Sequence, residues 1–143
     1  RAARRAASTA NGSSGAGPLI AAIHANGAIE PDEPDEYCDI RNDGPEAVQL
    51  AGWRLNAGRE GQDLILPAYR LRPGQVCRVY TGPLALLPHL AEGQSAAGSG
   101  CVLSFGSDDA LWRNGGDCGR LYDPDGTLKS EICYGDREGS SRP

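Results

Sequence analysis

The side chains best suited to acid–base chemistry in this sequence are its two histidines, His24 and His89. An imidazole titrates near neutral pH and is the commonest general base in enzymes. His24 lies in a strand-like apolar run and His89 lies in an apolar loop. Neither neighbours a Gly-x-Ser-x-Gly elbow or a reactive-cysteine signature. The sequence therefore predicts no catalytic residue and no enzyme activity.

Carboxylates are the next candidates, because they are the ligands that calcium prefers. The acidic run at residues 30–36 could collect calcium, but its spacing is not that of an EF-hand and its prolines hold it extended. We expect a solvated loop there, with calcium as the one cofactor to test. Asp108, Asp109 and Asp117 form a second candidate cation cluster, for which ordinary surface positions are the favoured interpretation.

The five cysteines show no paired Cys-x-x-Cys spacing, which argues against a zinc site and favours one or two disulfides in an oxidising compartment. If the turn at 123–126 closes a hairpin that pairs Gly119 with Ile132, then Cys118 lies opposite Cys133 on one face. The odd cysteine is left free or pairs between chains. Cys38 and Cys77 are each a buried thiol or the partner of Cys101, with the choice open.

The elements that must position these residues are short apolar runs separated by turn sequences, a pattern typical of a β-sandwich. Asn-Asp-Gly-Pro at 42–45 and Asp-Pro-Asp-Gly at 123–126 predict turns, because Gly accepts positive φ and Asn and Asp bond the local backbone. A helical turn followed by a loose loop is expected within 83–100. Strands are predicted at 18–25, 36–42, 48–56, 63–66, 75–81, 101–105, 119–122 and 128–134.

The composition indicates one soluble domain of 143 residues, rich in turns, with 20 Gly and 10 Pro. The net charge of −5 gives no broad basic field, so nucleic acid is not the favoured partner. No apolar run reaches the ~18 residues that a membrane span needs. Lys129 is the only lysine and Met is absent, which favours a GC-rich bacterial source.

The domain organisation follows from the same patterns. Residues 1–17 are small and polar, and we expect a flexible or partner-held N-terminal arm. Residues 18–136 are predicted to form the sandwich and 137–143 a C-terminal tail. The chain begins at Arg1 rather than Met, from which we expect export or processing of a longer chain.

Several segments together resemble the lamin-tail domain. The most specific is an acidic strand entering an Asn-x-Gly turn, followed by Leu-x-Gly-Trp at Leu50, Gly52 and Trp53. The resemblance implies an immunoglobulin-like sandwich, a role in assembly or binding, and no catalysis. No heptad rod or basic localisation run is present, so the exported bacterial type is expected. The segments are DEYCDIRNDG at 35–44, VQLAGWRL at 48–55, LPAYRLRPGQVCRVYTG at 66–82, NGGD at 114–117 and LYDPDGTLKSEICYG at 121–135.

Most of these segments have a structural interpretation. Trp53 is expected to fill the space between two facing sheets. The loop at 114–117 is expected to cap backbone groups, with an anion-binding backbone nest as the alternative. The predicted core residues are Trp53, Leu50, Ile40, Leu55, Val79, Leu121, Ile132 and Tyr134.

Two functions fit these features. In the first, a secreted or cell-surface structural protein self-associates through its sandwich and its arm into a filament or surface layer. The arm's Arg1, Arg4 and Arg5 would dock on acids of a neighbouring copy, namely Glu30, Asp32, Glu33, Asp35 and Glu36. In the second, the domain is an accessory module of an exported enzyme that binds nucleic acid, polysaccharide or a protein. Its binding platforms would be tyrosines, namely Tyr37, Tyr69, Tyr80 and Tyr122.

Overall fold

The computed structural model describes residues 17–25, 35–87 and 100–135. Nearly all of the regular structure in these ranges is strand, and a 3-10 turn at Leu84–Leu86 lies where the sequence predicts a helical turn. Within the described ranges, the chain has no helix of the length and apolar character that crossing a lipid bilayer requires. The strands are β1 (Pro18–His24), β2 (Tyr37–Asn42), β3 (Val48–Gln49), β4 (Arg54–Asn56), β5 (Asp63–Ile65), β6 (Arg70–Leu71), β7 (Val76–Tyr80), β8 (Cys101–Ser104), β9 (Gly116–Tyr122) and β10 (Leu128–Gly135).

The strands form two four-stranded sheets and one small two-stranded sheet. The first sheet has the order β1-β2-β7-β8, the second has the order β10-β9-β4-β5, and β3 pairs with β6. The pairing of β7 with β8 is parallel, whereas the other pairings are antiparallel. The all-β sandwich predicted from the sequence is confirmed.

The core lies between the two large sheets and is built by alternation along the strands. In β2 the side chains of Cys38 and Ile40 are buried, while those of Tyr37, Asp39 and Arg41 are partly exposed. Trp53 is 7% exposed and belongs to the same buried cluster, so the indole is inside the sandwich. The other predicted core residues are also buried, namely Leu50, Ile40, Leu55, Val79, Leu121, Ile132 and Tyr134.

The single strand predicted at 48–56 is wrong, because a turn interrupts it. Gly52 has φ of 88°, a value that suits glycine, and the Trp53 N–H donates back to the Leu50 carbonyl at 3.0 Å. The chain therefore enters the small sheet as β3 and the second large sheet as β4. The partner of β3 is β6, a two-residue strand that the sequence pattern did not reveal.

Both predicted turn sequences are confirmed, and each is held by its first side chain. The Asn42 amide donates to the carbonyls of Glu46 and Leu71, at 2.8 and 2.9 Å, and its Oδ1 accepts the Gly44 N–H at 2.9 Å. In the β9–β10 turn, Oδ1 of Asp123 accepts the backbone N–H groups of Asp125 and Thr127, at 2.9 and 3.0 Å. These bonds satisfy backbone groups within the turns and set the registers on either side.

Candidate functional site

The outer face of the second sheet carries a row of apolar and aromatic groups. Paired residues on adjacent strands share a face, and the register pairs Leu128 with Tyr122, Tyr122 with Arg54, and Arg54 with Ile65. Ile65 is 59% exposed and Leu128 is 41% exposed. The Arg54 guanidinium carbon lies 4.0 Å from the centroid of the Tyr122 ring. We call these four residues the outer row.

Two ion pairs lie in and beside the outer row, and each joins one arginine to one carboxylate. Arg54 binds Asp63 at 2.9 Å, and Arg120 binds Glu131 at 2.6 Å on the neighbouring strands. Such partly exposed pairs add little to stability, typically ~0–1 kcal/mol each. Their consequence is electrostatic, because Arg54 and Arg120 are each matched by a carboxylate on this face.

The outer face of the first sheet carries a different arrangement, which we call the aromatic cluster and define as His24, Tyr37, Arg78 and Tyr80. The His24 ring stacks on Tyr37 with centroids 5.0 Å apart, and Tyr80 meets Tyr37 edge-on at 5.8 Å. The Arg78 guanidinium carbon lies 3.7 Å from the Tyr37 centroid. Tyr37 is therefore the centre of a cation–π and stacking assembly.

The guanidinium of Arg78 is held in this place by Asp39. Two hydrogen bonds of 2.8 and 2.9 Å join the two groups. Burial alone lowers the pKa of Arg78, but the hydrogen bonds and negative charge of Asp39 outweigh it, and the pKa is raised. Arg78 is thus permanently cationic beneath Tyr37. Burial raises the pKa of Tyr80, and Arg78 partly opposes that rise.

The chain after β7 covers one side of the aromatic cluster. Tyr80 is 3% exposed and Leu87 is fully buried, and Tyr37 and Val102 pack against them. Tyr37 and His24 keep partial exposure and are the accessible rings of the cluster.

The loop at 114–117 has the capping role that the sequence predicts. The buried carboxylate of Asp117 accepts the backbone N–H of Arg113 at 3.3 Å and that of Cys118 at 3.0 Å. The Arg113 side chain donates through Nε to the Gly116 carbonyl at 3.1 Å. This loop leads directly into β9.

The family of this fold is given by its match to a known protein family. The family model described as Lamin Tail Domain matches residues 11–136, most of the chain. The chain belongs to the lamin tail domain family. This family has an immunoglobulin-like, non-catalytic fold, which agrees with the two sheets and with the resemblance found in the sequence. No curated protein matches the chain.

Two disulfide bonds cross-link strands of this lamin tail domain. Cys118 and Cys133, which the sequence register places opposite each other, are paired across β9 and β10 and joined by a disulfide. A second disulfide joins Cys77 to Cys101 in the core, a pairing that the sequence left open. Cys38 is a free, buried thiol, and burial together with the charge of Asp39 raises its pKa. Two disulfides are typical of proteins from oxidising compartments.

Glu36 requires a correction, because it does not belong to the acidic surface that the sequence predicts. Its side chain is fully buried. Oε1 accepts the hydroxyl of Thr81 at 2.9 Å and the backbone N–H groups of Leu111 and Trp112, at 3.0 and 3.2 Å. Glu36 is a structural anchor that no arm of another molecule can reach, whereas its neighbour Asp35 is half-buried.

The remaining predicted contact residues are outside the part of the chain that the structure describes. The same applies to His89 and to the acidic loop before Asp35. They stay predictions, and the residues concerned are Arg1, Arg4, Arg5, Glu30, Asp32 and Glu33.

The candidate cation cluster does not form a metal site. Asp117 is buried and bonded to backbone, while Asp108 and Asp109 are exposed. Over the described ranges, no three His, Cys, Asp or Glu side chains are grouped as metal ligands would be. His24 is used in stacking on Tyr37.

Sequence reasoning missed Trp112, which is 2% exposed and packs in the core. It lies in an irregular segment before β9, where strand alternation gives no signal. An indole inside a chain of only two tryptophans is a signal that could have been used, because large aromatic side chains contribute strongly to cores.

Proposed function

We propose that this lamin tail domain is a non-catalytic, exported assembly module that self-associates through the outer row. The observation that carries this proposal is that Ile65 and Leu128, 59% and 41% exposed, lie on one sheet face with the Tyr122 ring and Arg54 between them. Contiguous exposed apolar surface commonly marks a protein contact site. The partner we assign to it is a second copy of this chain.

Charge favours a second copy as the occupant. Two copies with a net charge of −5 each repel one another over most orientations. The outer row avoids this repulsion, because Arg54 and Arg120 are matched by Asp63 and Glu131. A face whose arginines are paired with carboxylates can therefore meet its own copy with less repulsion than an acidic face.

The symmetry of such a contact limits what it builds. A face that meets its own copy closes as a dimer, so a filament or surface layer needs a second, head-to-tail contact. The N-terminal arm is our proposed second contact, acting by strand addition on a sheet edge. The large sheets end on β1, β8, β10 and β5. Because β1 meets β10 through the bond from the Ile20 N–H to the Ser130 hydroxyl, β5 and β8 are the edges that such an arm would join.

Sedimentation velocity of the full chain across a wide concentration range tests the outer row. We expect reversible association that Ile65→Glu abolishes, because it places two added charges against each other in a symmetric contact. Leu86→Glu is the matched control: Leu86 is 55% exposed on the 3-10 turn, outside this face. Association of the chain that survives Ile65→Glu, or none at any concentration, would reject the proposal.

Deletion of residues 1–17 tests the arm separately. Light scattering should show dimers in place of longer assemblies, since the outer row remains. Unchanged large particles after the deletion would exclude the arm from assembly.

A second candidate is an accessory binding module that uses the aromatic cluster. The observation in its favour is the partly exposed Tyr37 ring with Arg78 fixed against it, because flat ligand rings stack on such platforms. Fluorescence anisotropy with labelled single-stranded DNA, at several salt concentrations, tests it. We expect Tyr37→Ala to weaken binding and Tyr69→Ala to leave it unchanged, and absence of any binding would dismiss this candidate for nucleic acid.

A further inference from the structure

Two arginines from separate loops converge on one buried carboxylate at the end of the second sheet. Arg59 lies in the β4–β5 turn and Arg113 in the segment before β9. Nη2 of Arg59 is 4.0 Å from Oδ2 of Asp117, and Nε of Arg113 is 3.9 Å from the same oxygen. We propose that this arginine pair is a binding site for a tetrahedral oxyanion, the phosphate or sulfate group.

The loops are built to meet at this point. The Asp117 side chain is 4% exposed and fixed by the backbone N–H groups of Arg113 and Cys118. Gly58 lies against that carboxylate with φ of +106°, and a Cβ there would collide with Oδ1. The close approach of Gly58 therefore sets the position of the next residue, Arg59, beside Arg113.

Both arginines have guanidinium N–H donors that are available to a ligand. A guanidinium carries five N–H donors in a fork that matches oxyanions. Arg113 uses Nε–H on the Gly116 carbonyl, and the distances of both arginines to Asp117 exceed those of a hydrogen bond. In the described ranges, no further protein acceptor engages either guanidinium. Their side chains are 49% and 47% exposed, so a ligand can reach them.

The local charge also favours an anion. Where the two guanidiniums converge, Asp117 supplies one negative charge against two positive ones, and the exposed Glu60 follows Arg59 in the turn. Asp63, the acid at the start of β5, is bound to Arg54 and to the Asn56 amide at 2.9 Å each, and does not compensate Arg59. Asn114 and Gly115, both exposed residues, follow Arg113 and bring two backbone N–H groups to the same loop. This site lies apart from the outer row and does not depend on self-association.

Titration of the full 15N-labelled chain with sodium phosphate, followed by amide and arginine Nε–H shifts, tests the proposal. Sodium chloride at matched ionic strength is the reference. We expect saturating shifts at Asn114, Gly115 and both guanidiniums with phosphate or sulfate. Tighter binding of methyl phosphate than of inorganic phosphate would identify an esterified group as the ligand, and the reverse would identify the free ion.

Variants separate a site from general electrostatics. Arg59→Gln and Arg113→Gln should each weaken phosphate binding about tenfold, because each removes charged donors. Arg70→Gln, which removes an exposed arginine on β6, should leave the affinity unchanged. Because the Arg59 side chain is exposed, the Arg59→Gln chain should fold even if Arg113→Gln perturbs the loop before β9. Amide shifts that are unchanged away from the site would verify that the variant is folded. Equal shifts with chloride, or equal loss in all three variants, would overturn the proposal.

Discussion

The carboxylate of Glu36 accepts the backbone N–H of Trp112, 76 residues further along the chain, at 3.2 Å. The same oxygen holds Leu111 and Thr81. The start of β2 is thereby tied to the segment that brings the Trp112 indole into the core. Glu36, at the end of an acidic run in the sequence, thus holds the start of β2 against the segment before β9.

Removing this carboxylate should be costly. Glu36→Ala leaves the buried N–H of Trp112, the part-buried N–H of Leu111 and the Thr81 hydroxyl without their acceptor. We expect a loss of ~2–4 kcal/mol in the free energy of unfolding. Glu36→Gln keeps one acceptor oxygen and should lose less. Urea denaturation measures both, with the exposed Asp109→Asn as control. A Glu36→Ala chain as stable as the control would contradict this role.

The packing of Trp112 against β9 leads to a second prediction. A Cβ at Gly119 would lie 2.9 Å from Cδ1 of Ile23 and 3.0 Å from Cη2 of Trp112. Gly119→Ala should therefore lower the free energy of unfolding by ~1–3 kcal/mol through overpacking. Gly17→Ala is the control, since nothing lies within 4 Å of its added methyl. Equal stability of the two variants would show that the indole does not cover Gly119.

The two disulfides should differ in their access to reductant. Cys133 is partly exposed on the outer face of the second sheet, whereas Cys77 and Cys101 are both buried in the core. Because exchange requires contact with the sulfur, mild reduction of the native chain should open the Cys118–Cys133 bond first. Timed alkylation and mass mapping measure the order, and prior opening of Cys77–Cys101 would refute it.

Cys38 should make stability fall at alkaline pH. Burial and the charge of Asp39 raise its pKa, so the folded chain keeps the thiol neutral after the unfolded chain has ionised. Stability from this thiol is complete below the ordinary cysteine pKa of about 8.5 and declines as pH rises above it. Urea denaturation from neutral to alkaline pH should show a steeper decline for the natural chain than for Cys38→Ala. Parallel declines would mean that Cys38 ionises freely in the folded state.

The sequence was informative where alternation and turn chemistry act locally. The Asp-Pro-Asp-Gly turn determines the β9–β10 register, which is why the pairing of Cys118 with Cys133 followed from counting along two strands. Alternation failed at Gly52, where a turn breaks a continuous apolar run. The split into β3 and β4 was therefore not visible in the pattern.

Long-range contacts were beyond the sequence pattern. Glu36 resembles its acidic neighbours in composition, and only the arrival of Leu111 and Trp112 makes it a buried acceptor. The convergence of Arg59 and Arg113 on Asp117 likewise depends on how two distant loops meet. The residue type indicates which interactions a side chain can make, but the tertiary structure determines its partners.

Concentration-dependent methyl NMR of the full chain tests most directly whether the outer row is the contact between copies. We predict that, as concentration rises, shifts and broadening concentrate on the methyl groups of Ile65 and Leu128, while those of Leu84 and Leu86 stay constant. Spectra that do not change with concentration, or changes confined to Leu84 and Leu86, would contradict the account.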